Sequence, residues 1–186
     1  MTTDLTDEQL LREFAATGDL GYFDTLAGRY IGKIRAMIYP MVLNHYETDD
    51  LTQETLLRTV KSLSKFNGRS RFSTWIYRIA MNTTFSHIRK RNQHITACYA
   101  DPEECLGSDA DQPGCNALQY KEMDQAITRA LAGLTPALRA AITLTAIHGM
   151  SPREAASVIG CLPATLYRRV HDARRILKTQ LSDYLE

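Results

Sequence analysis

Apolar residues in this chain return every third or fourth position, and no stretch shows the sustained alternation of a half-buried strand. That period restricts the chain to helices. Tyr22, Phe23, Leu26, Tyr30, Ile34, Met37 and Ile38 predict one helix over residues 20–41, with Pro40 near its end. Before it, Thr6-Asp7-Glu8-Gln9 is a capping box, in which threonine and glutamine side chains satisfy the backbone N–H groups at a helix start. The helix it opens carries Leu10, Leu11 and Phe14 on its apolar side and ends at Gly18-Asp19. Thr48 is expected to cap a third helix with Asp49 and Asp50 in its first turn, where the helix dipole favours acids, and with Leu51, Leu56, Val60 and Leu63 buried. Asn67-Gly68 signals a turn. Ser70 or Ser73 then opens a fourth helix whose stripe is Phe72, Trp75, Ile76, Ile79, Ala80 and Thr83, with Trp75 expected in the core.

Residues 93–116 carry two prolines, two glycines and scattered acids without helical period, and read as a connector. Helices are expected beyond it over 117–132, 136–148, 151–159 and 164–185. Ser151-Pro152-Arg153-Glu154 supplies an N-cap serine, a proline at the first helical position and a glutamate three after the cap. Ala156, Gly160 and Leu166 follow at the offsets of a helix-turn-helix: a small residue at the helix contact, a glycine in the turn, an apolar residue facing inward. Thr165, Tyr167, Arg168, Arg169, Arg174 and Arg175 lie on the outward face of its second helix, with Arg153 on the first. Hydroxyl and guanidinium groups suit phosphates and guanine edges. The fold class is all-α: two small helical domains, 1–92 and 117–186, joined by a flexible acidic linker over 93–116.

Charge is segregated more than the formal net of +1 suggests. Residues 1–54 hold ten acids and four bases, 55–100 nine bases and no acid, 99–120 five acids and no base, and 125–186 eight bases and four acids. Within the acid-free stretch, Phe66, Asn67, Phe72, Trp75, Tyr77, Asn82 and Phe85 alternate with the cations. Cations for phosphates, rings for bases and amides for base edges are what a single nucleic acid strand requires. Two basic modules around an acidic connector imply two contacts with one polyanion.

The same residues argue against other classes. The N-terminus is acidic and amphipathic, unlike a leader peptide, and no apolar run approaches the length of a membrane span. Cys98, Cys105, Cys115 and Cys161 have no CxxC spacing and read as reduced cytoplasmic thiols. With His94, three of them have the residue types of a zinc site, but the spacing is irregular and implies no metal and no cofactor. His45, His87, His148 and His171 are scattered, and no nucleophile, base and orienting acid can be assembled, so the chain reads as a non-enzyme. An autonomous helix-turn-helix regulator remains the alternative. A nucleic-acid-processing enzyme would need a carboxylate cluster where residues 55–100 have none.

Three segments in order, TDDLTQETLLRTV, KFNGRSRFSTWIYRIAMNTTFSHIRKR and LTPALRAAITLTAIHGMSPREAASVIGCLPATLYRRVHDARRIL, resemble the bacterial RNA polymerase sigma factors of the extracytoplasmic-function (ECF) group, over about residues 8–180. The resemblance implies a sigma region 2 domain, a linker and a sigma region 4 domain. Asp49, Asp50, Gln53, Glu54 and Leu57 would dock on the core polymerase. Lys65, Phe66, Asn67, Gly68, Arg71, Arg78, Asn82, Arg89, Lys90 and Arg91 would read and melt the minus-ten element. Arg153, Thr165, Tyr167, Arg168, Arg169 and Arg174 would bind the minus-thirty-five element. It also implies core polymerase, promoter DNA and an anti-sigma factor as partners. Tyr167 departs from the family's usual small or basic residue, Arg168 from its serine and Asp172 from its basic residue, which bears on the promoter sequence read.

Overall fold

The computed structural model describes residues 5–98 and 118–184. Helices α1 (Asp7–Thr17), α2 (Leu20–Val42), α3 (His45–Ser62) and α4 (Phe72–Cys98) form a first unit. Helices α5 (Leu118–Ala132), α6 (Pro136–Ile142), α7 (Pro152–Ile159) and α8 (Pro163–Gln180) form a second, and no strand occurs among the described residues.

Local chemistry sets most boundaries. The Thr6/Gln9 capping box is formed, and Gly18 ends α1 in the left-handed conformation at φ 70°. Asp7 ties the start of α1 to α2: one carboxylate oxygen receives Arg29 Nη1 at 2.8 Å, the other the Tyr30 hydroxyl. Only Leu43 and Asn44 separate α2 from α3, which forces the two helices to lie side by side. Here the expected cap is wrong. Asn44 is the N-cap, its Oδ1 accepting from the Glu47 amide at 3.0 Å, and Thr48 is buried one turn inside the helix. Asparagine is the stronger cap, and its extended backbone conformation starts the helix four residues early.

The buried face of α3 also differs from the expected one. Leu51 and Leu63 are buried, while Leu56 and Val60 only flank the core. Four threonines, Thr48, Thr52, Thr55 and Thr59, occupy the inner face. Each hydroxyl donates to the carbonyl four residues back, at 2.6 Å for Thr48 and 2.7 Å for the others. A hydroxyl satisfied this way is buried without an orphaned donor, and the short side chain lets neighbouring helices approach.

α4 opens at Phe72, where the Arg71 carbonyl accepts from the Trp75 amide at 3.2 Å. Phe72, Ile76, Ala80 and Thr83 are buried as the stripe predicts, with Trp75 and Ile79 at its margin. The helix continues through Cys98, six residues into the stretch read as connector. Nothing stops it earlier: the next proline is Pro102 and the next glycine Gly107. Cys105, Cys115 and the acidic stretch lie outside the described residues, as do the side chains of His94 and Cys98.

In the second unit α6 runs on as a π turn, Thr143–Ile147, before α7. The Ser151/Glu154 capping box is present, and its hydrogen bonds from the Ser151 hydroxyl and amide hold the Glu154 carboxyl below its ordinary pKa. Gly160 ends α7 at φ 78°, and Ala156 and Leu166 are buried in the expected roles.

The two units share one core. Leu26, Ile34, Met37, Ile38 and Met81 belong to the same apolar cluster as Leu144, Ala155, Val158 and Leu166. α7 packs along α4, and α6 with the π turn packs on α2. Arg139 is 9 % exposed, and its guanidinium donates to the carbonyls of Met41 (2.9 Å), Ala132 and Leu134 (both 3.0 Å). Its charge is thus held by carbonyls at two helix ends, where the helix dipole is negative.

His148 sits at this junction with its ring 6.3 Å from that of Tyr77 and its Nε2 buried without a partner. Burial lowers its pKa from 6.5, although a backbone hydrogen bond with Ala36 opposes the shift. The unfolded chain therefore takes up a proton near pH 6.5 that the folded chain refuses. Stability is expected to be full above that pH and to fall as the pH drops toward the folded value, with a slope of at most about 1.4 kcal/mol per pH unit from this group. In urea titrations from pH 7.5 to 5, His148→Leu should flatten the profile; an unchanged slope would assign the acid sensitivity elsewhere.

Candidate nucleic-acid interface

The loop from residue 65 to 71 stands on an aromatic base. Phe66 packs edge-on to Phe72 at 5.7 Å and against Trp75 at 5.2 Å, and Phe72 meets Tyr30 edge-on at 5.4 Å. Trp75 is thus a half-buried member of the base. Above it the chain is exposed from Asn67 to Arg71. Asn67 accepts from the Arg69 amide at 3.1 Å, an Asx turn, and Gly68 follows at φ 69°, a left-handed conformation that a side chain would strain. A rigid ring platform therefore presents a tight polar turn flanked by Lys65 and Arg71, both exposed.

The cations of α4 fall on different faces. Arg78, Asn82 and Arg89, with Phe85, recur at offsets of four and seven and make one stripe. Arg78 Nη2 donates to the carbonyl and hydroxyl of Ser157 in α7 at 2.8 and 3.0 Å, and Nε to the same carbonyl at 3.1 Å. Asn82, Phe85 and Arg89 line a groove of about 940 Å³ whose other bank is Pro136 and Ile159. Lys90 is exposed. Arg91 points elsewhere: with His87 it is bound to Glu47 of α3, at 3.1 and 2.8 Å.

On α3, Asp50, Gln53, Glu54 and Leu57 form an outward stripe, with Leu57 61 % exposed. Glu54 pairs with Arg58 at 2.6 Å and Asp49 with Arg35 of α2 at 2.5 Å. An exposed leucine ringed by acids is an apolar anchor within a charged rim, the composition of a protein-docking patch.

In the second unit Leu166 and Ala173 bury one face of α8, leaving Tyr167, Arg168, Arg174 and Arg175 exposed and Thr165 and Arg169 half-buried. Arg175 leans toward Asp172 at 4.0 Å, while among the described residues no ion pair holds Arg168, Arg169 or Arg174. Arg153 is exposed on α7. Sequence reasoning missed Ser157 and Arg139, for no local pattern announces contacts 79 and 98 residues away.

Comparison with known proteins agrees with this geometry. Residues 26–94 match Sigma-70 region 2 and residues 124–177 match Sigma-70 region 4. The chain is 31% identical to the RNA polymerase sigma-H factor of Pseudomonas aeruginosa, covering 100% of this chain and 98% of that protein. It is 30% identical to the ECF RNA polymerase sigma-E factor of Salmonella typhimurium, over 97% of each. Among solved structures, the sigma factor RpoE of Bartonella quintana, in complex with the anti-sigma factor NepR, superposes with a TM-score of 0.68 at 27% identity, over 86% of this chain and 96% of that one. Two sigma regions in order, and relatives matched from end to end, place this chain in the ECF group of RNA polymerase sigma factors.

Proposed function

We propose that the chain works as a dissociable, non-catalytic polymerase subunit in the cytoplasm, using the residues assigned above. The first domain, residues 1–92, docks on core polymerase through Asp49, Asp50, Gln53, Glu54 and Leu57 and opens the minus-ten element. The stretch read as linker, 93–116, whose first six residues extend α4, joins it to the second domain, 117–186, whose α8 seats in the minus-thirty-five major groove. The observation that carries this reading is the exposed turn at 67–71 on its fixed aromatic base, beside cationic α4. Melting DNA requires a flipped base to find stacking and hydrogen bonds that offset a few kcal/mol of lost stacking. Phe66, Asn67 and Gly68 shape that acceptor, Arg71, Arg78 and Asn82 follow the strand, and Arg89 and Lys90 hold phosphates, joined by Arg91 once it leaves Glu47. No helix of the described residues is long and apolar enough to cross a membrane. Likeness to the Bartonella sigma factor supports an anti-sigma factor as the inhibitory partner.

Transcription from a promoter library by purified core polymerase, with and without the chain, tests the proposal; tight operator binding without polymerase would favour an autonomous regulator instead. Leu57→Arg is expected to weaken association with core polymerase at least about tenfold, the loss of a central interface anchor, while leaving helicity unchanged. Association at wild-type strength would remove α3 from the docking surface.

A further inference from the structure

The outward face of α8 is divided along its length. From Leu162 to Tyr167 it carries no charged residue, and cations begin only at Arg168. Leu162 is 72 % exposed and Tyr167 59 %, and Pro163 and Ala164 are exposed as well. Pro163 and Ala164 neighbour Tyr167 at helical offsets of four and three, so the three form one patch with Leu162 at its edge. Neither Leu162 nor Tyr167 belongs to an apolar cluster of the described residues.

Helix stability does not account for this patch. Leu162 stands at the N-cap of α8 and makes no side-chain cap hydrogen bond, where serine, threonine, asparagine or aspartate would stabilise the helix. α7, in the same unit, is capped in that ordinary way by Ser151. Pro163 also removes one of the free N–H groups with which a helix start holds phosphate. The patch is therefore poor in charge and in donors and rich in exposed carbon. A recognition helix brings its N-terminal residues to base edges. Of the four bases only thymine presents a methyl group in the major groove, and apolar side chains pack on it, whereas guanine is read by donors that Leu162, Pro163 and Ala164 lack. Arg153, Arg168 and Arg174, all exposed around the patch, supply the positive charge that suits a DNA partner over an apolar protein one.

We infer, on the proposed seating of α8 in the minus-thirty-five groove, that Leu162 and Tyr167 are specificity residues that select thymine there through its 5-methyl group. Five residues of helix rise separate them by about 7.5 Å, room for two base-pair steps.

Holoenzyme made with the full chain tests this on duplexes selected from a library with a randomised upstream element. Each thymine of the selected element is replaced in turn by uracil, which keeps base pairing and loses only the methyl group. At one or two positions affinity should fall about three- to fivefold, the loss of one buried methyl. Leu162→Ser, which restores a capping hydroxyl and so keeps the fold, should bind thymine and uracil alike at one of those positions, and Tyr167→Ser at the other. Wild-type indifference to uracil at every position overturns thymine reading and leaves α8 in its groove. Unchanged discrimination in both variants does the same. Weaker association of Leu162→Ser with core polymerase, with discrimination intact, would make the patch a protein contact instead. If no upstream sequence is selected at all, the seating of α8 falls, and thymine reading with it.

Discussion

Phe72→Ala should lower the melting temperature by roughly 10 °C or more and abolish promoter opening. Phe72 is 2 % exposed and touches the rings of Tyr30, Phe66 and Trp75. Truncating a buried phenylalanine costs about 3–5 kcal/mol, a large share of the 5–15 kcal/mol that stabilises a typical domain. At this chain length each kcal/mol is worth about 2–4 °C. The functional loss should exceed the thermal one. Phe66 stands on Phe72, so even at temperatures where the variant remains folded the turn at 67–71 loses its floor. Thermal unfolding by circular dichroism, paired with permanganate footprinting of the minus-ten region, measures both. Phe72→Leu, which keeps most of the volume, should recover much of the stability and less of the opening. A shift under about 4 °C would mean the cluster repacks and that the base is less rigid than its ring contacts imply.

The second large effect is expected on duplex binding. Arg168 and Arg174 are exposed on α8 and, among the described residues, in no ion pair, so replacing both by alanine should change folding stability by no more than about 0.5 kcal/mol. Affinity for minus-thirty-five DNA, measured for holoenzyme, should nevertheless fall at least about 30-fold, since two specific arginine contacts at about 1–3 kcal/mol each are lost. Salt titration separates the roles. An arginine on a phosphate lowers the slope of log affinity against log salt by about one and weakens all sequences alike, whereas one on a guanine edge relaxes sequence preference. If the double variant binds as wild type does, the reading face of α8 is turned away from DNA.

The features legible in the sequence were those determined locally. Both capping boxes, the glycine stops at Gly18 and Gly160, and the Ala156–Gly160–Leu166 spacing depend on residues within a few positions of one another, and they are formed as expected. The aromatic and cationic mixture also marked the loop that the fold leaves exposed. What escaped was determined by tertiary partners. Only Leu51, Leu56, Val60 and Leu63 were expected to be buried on α3, yet the hydroxyls of Thr52, Thr55 and Thr59 bond their own helix and so can be buried without loss. No role was expected of Arg139, which is buried. Two of the carbonyls that hold it, those of Ala132 and Leu134, are close in sequence, but the third, that of Met41, lies 98 residues away, outside any window around residue 139. The resemblance assigns both Arg78 and Arg91 to the minus-ten DNA; their contacts in the fold, with Ser157 and with Glu47, were not legible in the sequence.

The Arg139–Met41 bond spans 98 residues, with the segment 99–117 as the only covalent path between the units. Closure is therefore unimolecular and indifferent to dilution, with each half held at an effective concentration in the millimolar range. A single protease cut between residues 99 and 117 would make the same contact bimolecular. The apolar cluster common to the two units would then hold them only as two separate bodies, so how much of the contact survives would depend on protein concentration.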